Sequence, residues 1–280
     1  MTTPRILTCA LAGLLLFASG CSDAGHDGEA SAERPELTLA FAQWLPDEGT
    51  DRAMLRVTND SAEELEVTGA GLRWSGYDDF VDVQDSSLAA GQTLDLRVTL
   101  PDAHCDEGAE PIVGVVRTPS TEVTEELTDN SQQFLRHLWQ RGCEADLVRS
   151  QVSISYDDDF RLGTIEGQPV AVGSLLLERR AGQERVTALG AAGSVLYQVT
   201  LGARVTAAPE QPVTRVPLRI SGGTRCDEHA RGQATAPFTF RITLRVADTT
   251  TRMLVPPPPD VQALATVALD RACRQRAEGG

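Results

Sequence analysis

The chain has 280 residues, 41% of them hydrophobic, which is enough for one or two domains with a buried core. All 25 basic residues are arginine and none is lysine, so chemistry that needs a side-chain amine, such as Schiff-base formation or a phosphate-loop lysine, is excluded. Against them stand 40 acids, and the formal charge of −15 argues against binding nucleic acid or anionic lipid surfaces by counterion release.

Residues 1–5 carry one positive charge, residues 6–17 form an apolar run, and Ala18-Ser19-Gly20-Cys21 follows. This is the pattern of an export signal. The run is too short to cross about 30 Å of hydrocarbon at about 1.5 Å per residue, so it reads as a cleaved segment rather than a span. Its ending resembles the lipobox of bacterial lipoproteins, in which the cysteine thiol takes a diacylglycerol and becomes the new N-terminus. The resemblance implies a signal peptide over 1–20, with Cys21 carrying the lipid anchor; a plain secretory peptide with an incidental cysteine is the alternative. Residues 21–35 are rich in Ser, Ala, Gly, Asp and Glu and read as a flexible acidic tether, with His26 exposed on it.

Beyond the tether the sequence repeats. Val67-Thr68-Gly69-Ala70-Gly71 is echoed by Val186-Thr187-Ala188-Leu189-Gly190, Cys105-Asp106-Glu107 by Cys226-Asp227-Glu228, and Cys143 by Cys273. Alternating apolar runs precede both CDE strings, Leu94 to Leu100 and Val213 to Ile220. Helical patterns precede both later cysteines, and aligning these cysteines superposes Phe134, Leu135, Leu138 and Trp139 on Leu264, Ala265, Ala268 and Leu269. The order strand, CDE, strands, helix, cysteine assigns tandem copies to residues 36–148 and 149–280.

In chain order, period-two alternation predicts strands at Leu37 to Phe41, around Leu55 and Val57, from Leu65, and at Leu94 to Leu100 in the first copy. In the second it predicts strands at Leu175 to Leu177, Val186 to Leu189, Val195 to Val199, Val213 to Ile220 and Phe238 to Val246. Turns fall at Asn59-Asp60-Ser61, Ala89-Ala90-Gly91-Gln92 and Ala181-Gly182-Gln183. Each copy ends in one short helix, Gln132 to Arg141 capped from Asp129, Asn130 or Ser131, and Val261 to Cys273 capped by Asp260 after the prolines 256–259. The fold expected is all-β, two tandem β-sandwiches each with a short C-terminal helix. The stretches LRVTNDSAEELEVTG and LAAGQTLDLRVTL resemble the immunoglobulin-like domains of bacterial surface proteins, although the Cys, Trp, Cys spacing of antibody domains is absent.

With Cys9 in the signal and Cys21 lipidated, one cysteine pair per copy makes Cys105–Cys143 and Cys226–Cys273 the economical disulfides in an oxidising compartment. A metal or redox site is the alternative, because His104 precedes its cysteine and His229 follows its own, but no CxxC or HxxxH spacing supports one. No metal and no cofactor are expected. His137 falls on the first helix as a packing or solvent residue, and no GxSxG or HExxH motif offers it catalytic partners. The acid clusters around Tyr77-Asp78-Asp79-Phe80, with Asp82 and Asp85, and Tyr156-Asp157-Asp158-Asp159-Phe160 are read as solvated runs, with calcium as the alternative. Trp44 and Trp74 stand at loop junctions and are the candidate partner-contact residues, whereas Trp139 lies on the apolar helix face.

The whole resembles uncharacterised, actinobacterial surface lipoproteins with two immunoglobulin-like domains, which implies a place on the extracytoplasmic face of the cell membrane. The expected function is a non-catalytic binding or scaffolding module for another envelope component, with no nucleic-acid partner. Capture of a small ligand or metal ion is the alternative, and an unrecognised hydrolase the second alternative.

Overall fold

A computed structural model describes residues 34–279, so the expected signal segment, Cys21 and nearly all of the tether lie outside the described residues. Strands make up 45% of the described residues, in several antiparallel sheets with few helices. Alternation of buried and exposed side chains, clearest in Val213–Gly222, gives such a strand one face for a core and one for water.

The first seven strands are β1 (Leu37–Ala42), β2 (Arg52–Asn59), β3 (Leu65–Arg73), β4 (Phe80–Leu88), β5 (Thr93–Thr99), β6 (Val113–Arg117) and β7 (Glu122–Glu126), followed by helix α1 (Asp129–Gln151). They form two sheets ordered β1-β2-β5 and β4-β3-β6-β7. Leu39, Leu55 and Val57 from one sheet and Val67, Leu72 and Val116 from the other belong to one cluster of buried side chains.

The chain continues through β8 (Val152–Tyr156), β9 (Arg161–Ile165), β10 (Gln168–Arg179), β11 (Val186–Ala192), β12 (Tyr197–Leu201), β13 (Val205–Ala207) and β14 (Val213–Gly222). After these come α2 (Glu228–Gln233), β15 (Arg241–Val246), β16 (Thr249–Leu254) and α3 (Pro259–Gly279). The sheet orders here are β8-β10-β14-β12, with β9 also on β10, and β13-β11-β15-β16. The first arrangement is therefore repeated, with β8, β10 and β14 in the places of β1, β2 and β5, and β11, β15 and β16 in those of β3, β6 and β7. The place of β4 is shared between β13 on one sheet and β12 on the other. A second buried cluster, with Leu175, Leu218, Ile242, Leu244 and Phe240, fills this sandwich.

Equivalent turns are clamped by different side chains. The fully buried Asn59 donates from Nδ2 to the carbonyls of Glu63 and Leu88 at 2.7 and 3.0 Å, and its Oδ1 accepts from Ser61. At the matching end of β10, Arg179 donates to the carbonyls of Glu184 and Ala207 at 2.9 and 2.8 Å. Both give donors to turn carbonyls that the strand ladders leave unpaired.

The helices correct the expectation of short ones. Helix α1 has 23 residues and α3 has 21, and α2 is an additional short helix opened by Asp227, whose carboxylate accepts from the amide of Ala230. The extension of α1 has a physical reason: beyond Arg141 the sequence keeps helical spacing, with Ala145 and Val148 buried, and no proline interrupts it. Leu135 belongs to the first core cluster and Ala145 and Val148 to the second, so α1 is shared by both cores and the boundary expected at 148/149 falls inside it.

Candidate functional site

The sharing of α1 creates a cleft of about 480 Å³ between the two sandwiches. One wall is the face of α1 that presents Leu138, Arg141, Gly142, Ala145 and Arg149, positions three or four residues apart that share one side of a helix. The opposite wall is Arg252, Met253 and Leu254 of β16, with Arg241 of β15 beside it. The loop after β1, Glu48 to Asp51, and the segment Leu100 to Ala103 after β5 close the remaining sides.

That first loop is held rigidly. Gln43 Nε2 donates to the carbonyls of Thr50 and Arg52 at 3.3 and 2.9 Å, and the amide of Leu100 donates to the Asp51 carbonyl at 2.8 Å. Its tip touches the second sandwich. Gly49 has φ +79°, and a Cβ there would lie 2.9 Å from Leu254 Cδ2, so both its backbone conformation and its approach to β16 require glycine. Next to it, Arg241 grips Glu48 with two hydrogen bonds, Nε to Oε1 at 3.2 Å and Nη2 to Oε2. This pair ties the loop of one sandwich to a strand of the other.

The charges in the cleft are unequally used. Arg241 is neutralised by Glu48, and Arg149 lies 2.7 Å from Asp146. Arg141 and Arg252 make no ion pair among the described residues, and Arg141 Nε is buried without an acceptor. Asp51 and Asp102 also line the cleft, as do Tyr77, whose phenol is pushed up to about 12 by burial, and the exposed His137. None of the cleft arginines or acids was singled out from the sequence. The available signal was the pair Arg141 and Arg149, eight residues apart around a small-residue face.

The cysteines pair within each copy, Cys105 with Cys143 and Cys226 with Cys273. The first disulfide staples the segment after β5 to α1. The same segment is fixed by Trp139 Nε1 donating to the His104 carbonyl at 3.2 Å and by Arg136 donating to the carbonyls of Gly108 and Glu110.

Trp74 corrects its assignment as a contact residue. It is 3% exposed, packed edge-on against Tyr77 and Trp139 with centroids 5.7 and 5.6 Å away, and covered by Arg136. Gly108, at φ +106°, is required beside it, because a Cβ there would lie 2.9 Å from the indole. A strand end running into a Gly-rich loop is equally the pattern of a ring over which that loop folds. Trp44 is 48% exposed and stands with the exposed Leu45 on the same loop that carries Glu48 and Gly49.

The acid clusters are distributed among separate partners. Asp157 pairs with Arg215 at 2.7 Å, and that guanidinium holds its carboxyl below the usual range. Asp159 accepts from the Ser174 amide and hydroxyl at 2.9 and 3.0 Å, and Asp82 accepts from the Thr99 amide at 2.6 Å. Asp78 lies 3.3 Å from His104, and Asp79 lies 3.9 Å from Arg73. Among the described residues no three His, Cys, Asp or Glu side chains converge as a cation site needs.

No protein-family model and no curated protein matches the chain. Among solved structures, an anti-sigma factor domain-containing protein is similar over 78% of this chain and 89% of that one, at 12% identity and a TM-score of 0.17. A likeness this slight carries no inference about fold or activity.

Proposed function

We propose that the chain is a lipid-anchored, non-catalytic protein of the extracytoplasmic membrane face, acting as a binding or scaffolding module for another envelope component. In this reading Cys21 carries the lipid, and the two copies are immunoglobulin-like sandwiches. Support for the sandwich type comes from the strand pairing. Constant-type immunoglobulin domains place strands one, two, five and four on one sheet and three, six and seven on the other. Here the fourth strand has moved across, giving β1-β2-β5 and β4-β3-β6-β7.

The observation that carries the binding reading is the cleft between the copies. It has the size of ligand sites, which run about 300 to 1,000 Å³, and it is built from both sandwiches around a helix they share. The exposed Trp44 and Leu45 sit on the loop that forms its edge, and aromatic side chains concentrate contact energy in protein interfaces. Covalent crosslinking in the native envelope is the test. Recovery of one component with the wild type, weakened by Trp44→Ala about 30-fold, the factor for loss of roughly 2 kcal/mol, supports the reading. Capture indifferent to Trp44 and to the cleft arginines overturns it. For anchoring, Cys21→Ala releases the protein or leaves it uncleaved; continued membrane retention after signal removal removes the lipid from the reading.

A further inference from the structure

The cleft combines apolar walls with cations that the protein leaves unpaired. Leu138 and Leu254, both half-buried, supply apolar surface, and Arg141 and Arg252 supply guanidinium groups in no ion pair among the described residues. The Arg141 Nε–H is buried without an acceptor. Guanidinium groups match planar oxyanions with two parallel hydrogen bonds.

Two features select among oxyanions. The chain carries a formal charge of −15, and Asp51 and Asp102 stand in the same cleft. Both repel a dianion about twice as strongly as a monoanion, so phosphate esters are disfavoured relative to carboxylates. Resting on the reading of this cleft as the binding site, we propose that it binds a monocarboxylate carried on an apolar body, the carboxylate between Arg141 and Arg252 and the apolar part against Leu138 and Leu254. The two sources of this chemistry are a free aliphatic acid and the C-terminal carboxylate of an apolar peptide.

Calorimetric titration tests this on the full chain carrying Cys21→Ala, so that no detergent competes for the apolar ligand. The probes are octanoate, octanamide, octyl phosphate, N-acetyl-Leu-Leu and its C-terminal amide. At least one of the two carboxylates binds saturably, its amide and octyl phosphate each bind at least about tenfold more weakly, and whichever carboxylate is preferred identifies the source. Arg141→Gln and Arg252→Gln each weaken carboxylate binding about tenfold, the factor for loss of one charge-assisted bond. Arg219→Gln, on β14 and outside the cleft, leaves it unchanged. An amide that binds as tightly as its acid, or arginine variants that bind normally, overturns the proposal, and so does the absence of binding by both carboxylates. That failure is separable from failure of the envelope-binding reading, because crosslinked capture of a component is measured independently of these probes.

Discussion

The Glu48–Arg241 pair sets the loop of the first sandwich on the second, so removing it loosens the cleft. Its side chains are 23% and 26% exposed, and the two hydrogen bonds put the charges about 4 Å apart. At an effective dielectric near 20 the gross attraction is about 4 kcal/mol, most of it offset by desolvation and by the ordering of two long side chains. A net coupling of about 1–2 kcal/mol remains. The exposed pair Arg149–Asp146 on α1, at 55% and 54% exposure, is the internal comparison, with an expected coupling of about 0–0.5 kcal/mol. Urea unfolding at low salt of Glu48→Gln, Arg241→Gln and the double variant measures the first coupling, and Asp146→Asn with Arg149→Gln measures the second. Urea unfolding repeated at about 1 M salt, where the screening length is about 3 Å, reduces the exposed coupling more than the partly buried one. Equal couplings, or a Glu48–Arg241 value below about 0.5 kcal/mol, would refute the reasoning that burial makes this pair the junction's clamp.

Trp74→Ala lowers stability by about 3–5 kcal/mol, a fall in melting temperature on the order of 10 °C, whereas Trp44→Ala stays within about 0.5 kcal/mol; similar losses from the two contradict their different burial. Burial pushes the phenols of Tyr77, Tyr156 and Tyr197 upward, and these are the only three tyrosines, so absorbance titration at pH 10 shows less tyrosinate in the native protein than in the guanidine-unfolded chain, which is about half ionised there; equal ionisation contradicts the burial of the rings. Arg56 holds the Asp95 carboxyl below its ordinary value, so the unfolded state binds the proton first; the stability difference between wild type and Asp95→Asn is full above about pH 5 and shrinks as pH falls towards 2, and a difference that grows on acidification refutes the assignment. Replacing Cys105 and Cys143 by serine costs on the order of 4 kcal/mol in the chain-entropy model, for a closed loop spanning 38 residues, and a variant as stable as wild type shows that the other contacts of that loop suffice.

The strands legible in the sequence are those with one apolar face: β1 with Leu37, Leu39 and Phe41, β5 from Leu94 to Val98, and β14 with Val216, Leu218 and Ile220. Two that were not legible carry few large apolar side chains on their buried positions. β16 reads Thr-Thr-Thr-Arg-Met-Leu and turns only Thr251 and Met253 inward, and β4 has an intermediate-to-exposed pattern that ends on the buried Leu88. The repeat remains legible because cysteines and turns mark the frame where hydrophobicity does not. Both disulfides follow from that frame without any knowledge of distance.

The cleft was illegible for a different reason. Its residues come from positions 48–51, 77, 100–103, 137–149 and 241–254, and most are unremarked within their own segments: a glycine in an acidic loop, arginines on a helix, an arginine among threonines. What makes them a site is that α1 continues past Arg141 into the second core, which places one helix face against β16. The helix signal was present in Ala145 and Val148. With no glycine or proline after them to mark an end, however, the chain stops being helical only where Val152-Ser153-Ile154-Ser155-Tyr156 pairs with β10. A helix end set by a long-range strand pairing cannot be read locally. Once that pairing fixes α1 in place, Arg141 and Arg252 are brought to one cavity by the tertiary fold, and although Asp51 and Asp102 line the same cavity, neither arginine forms an ion pair among the described residues.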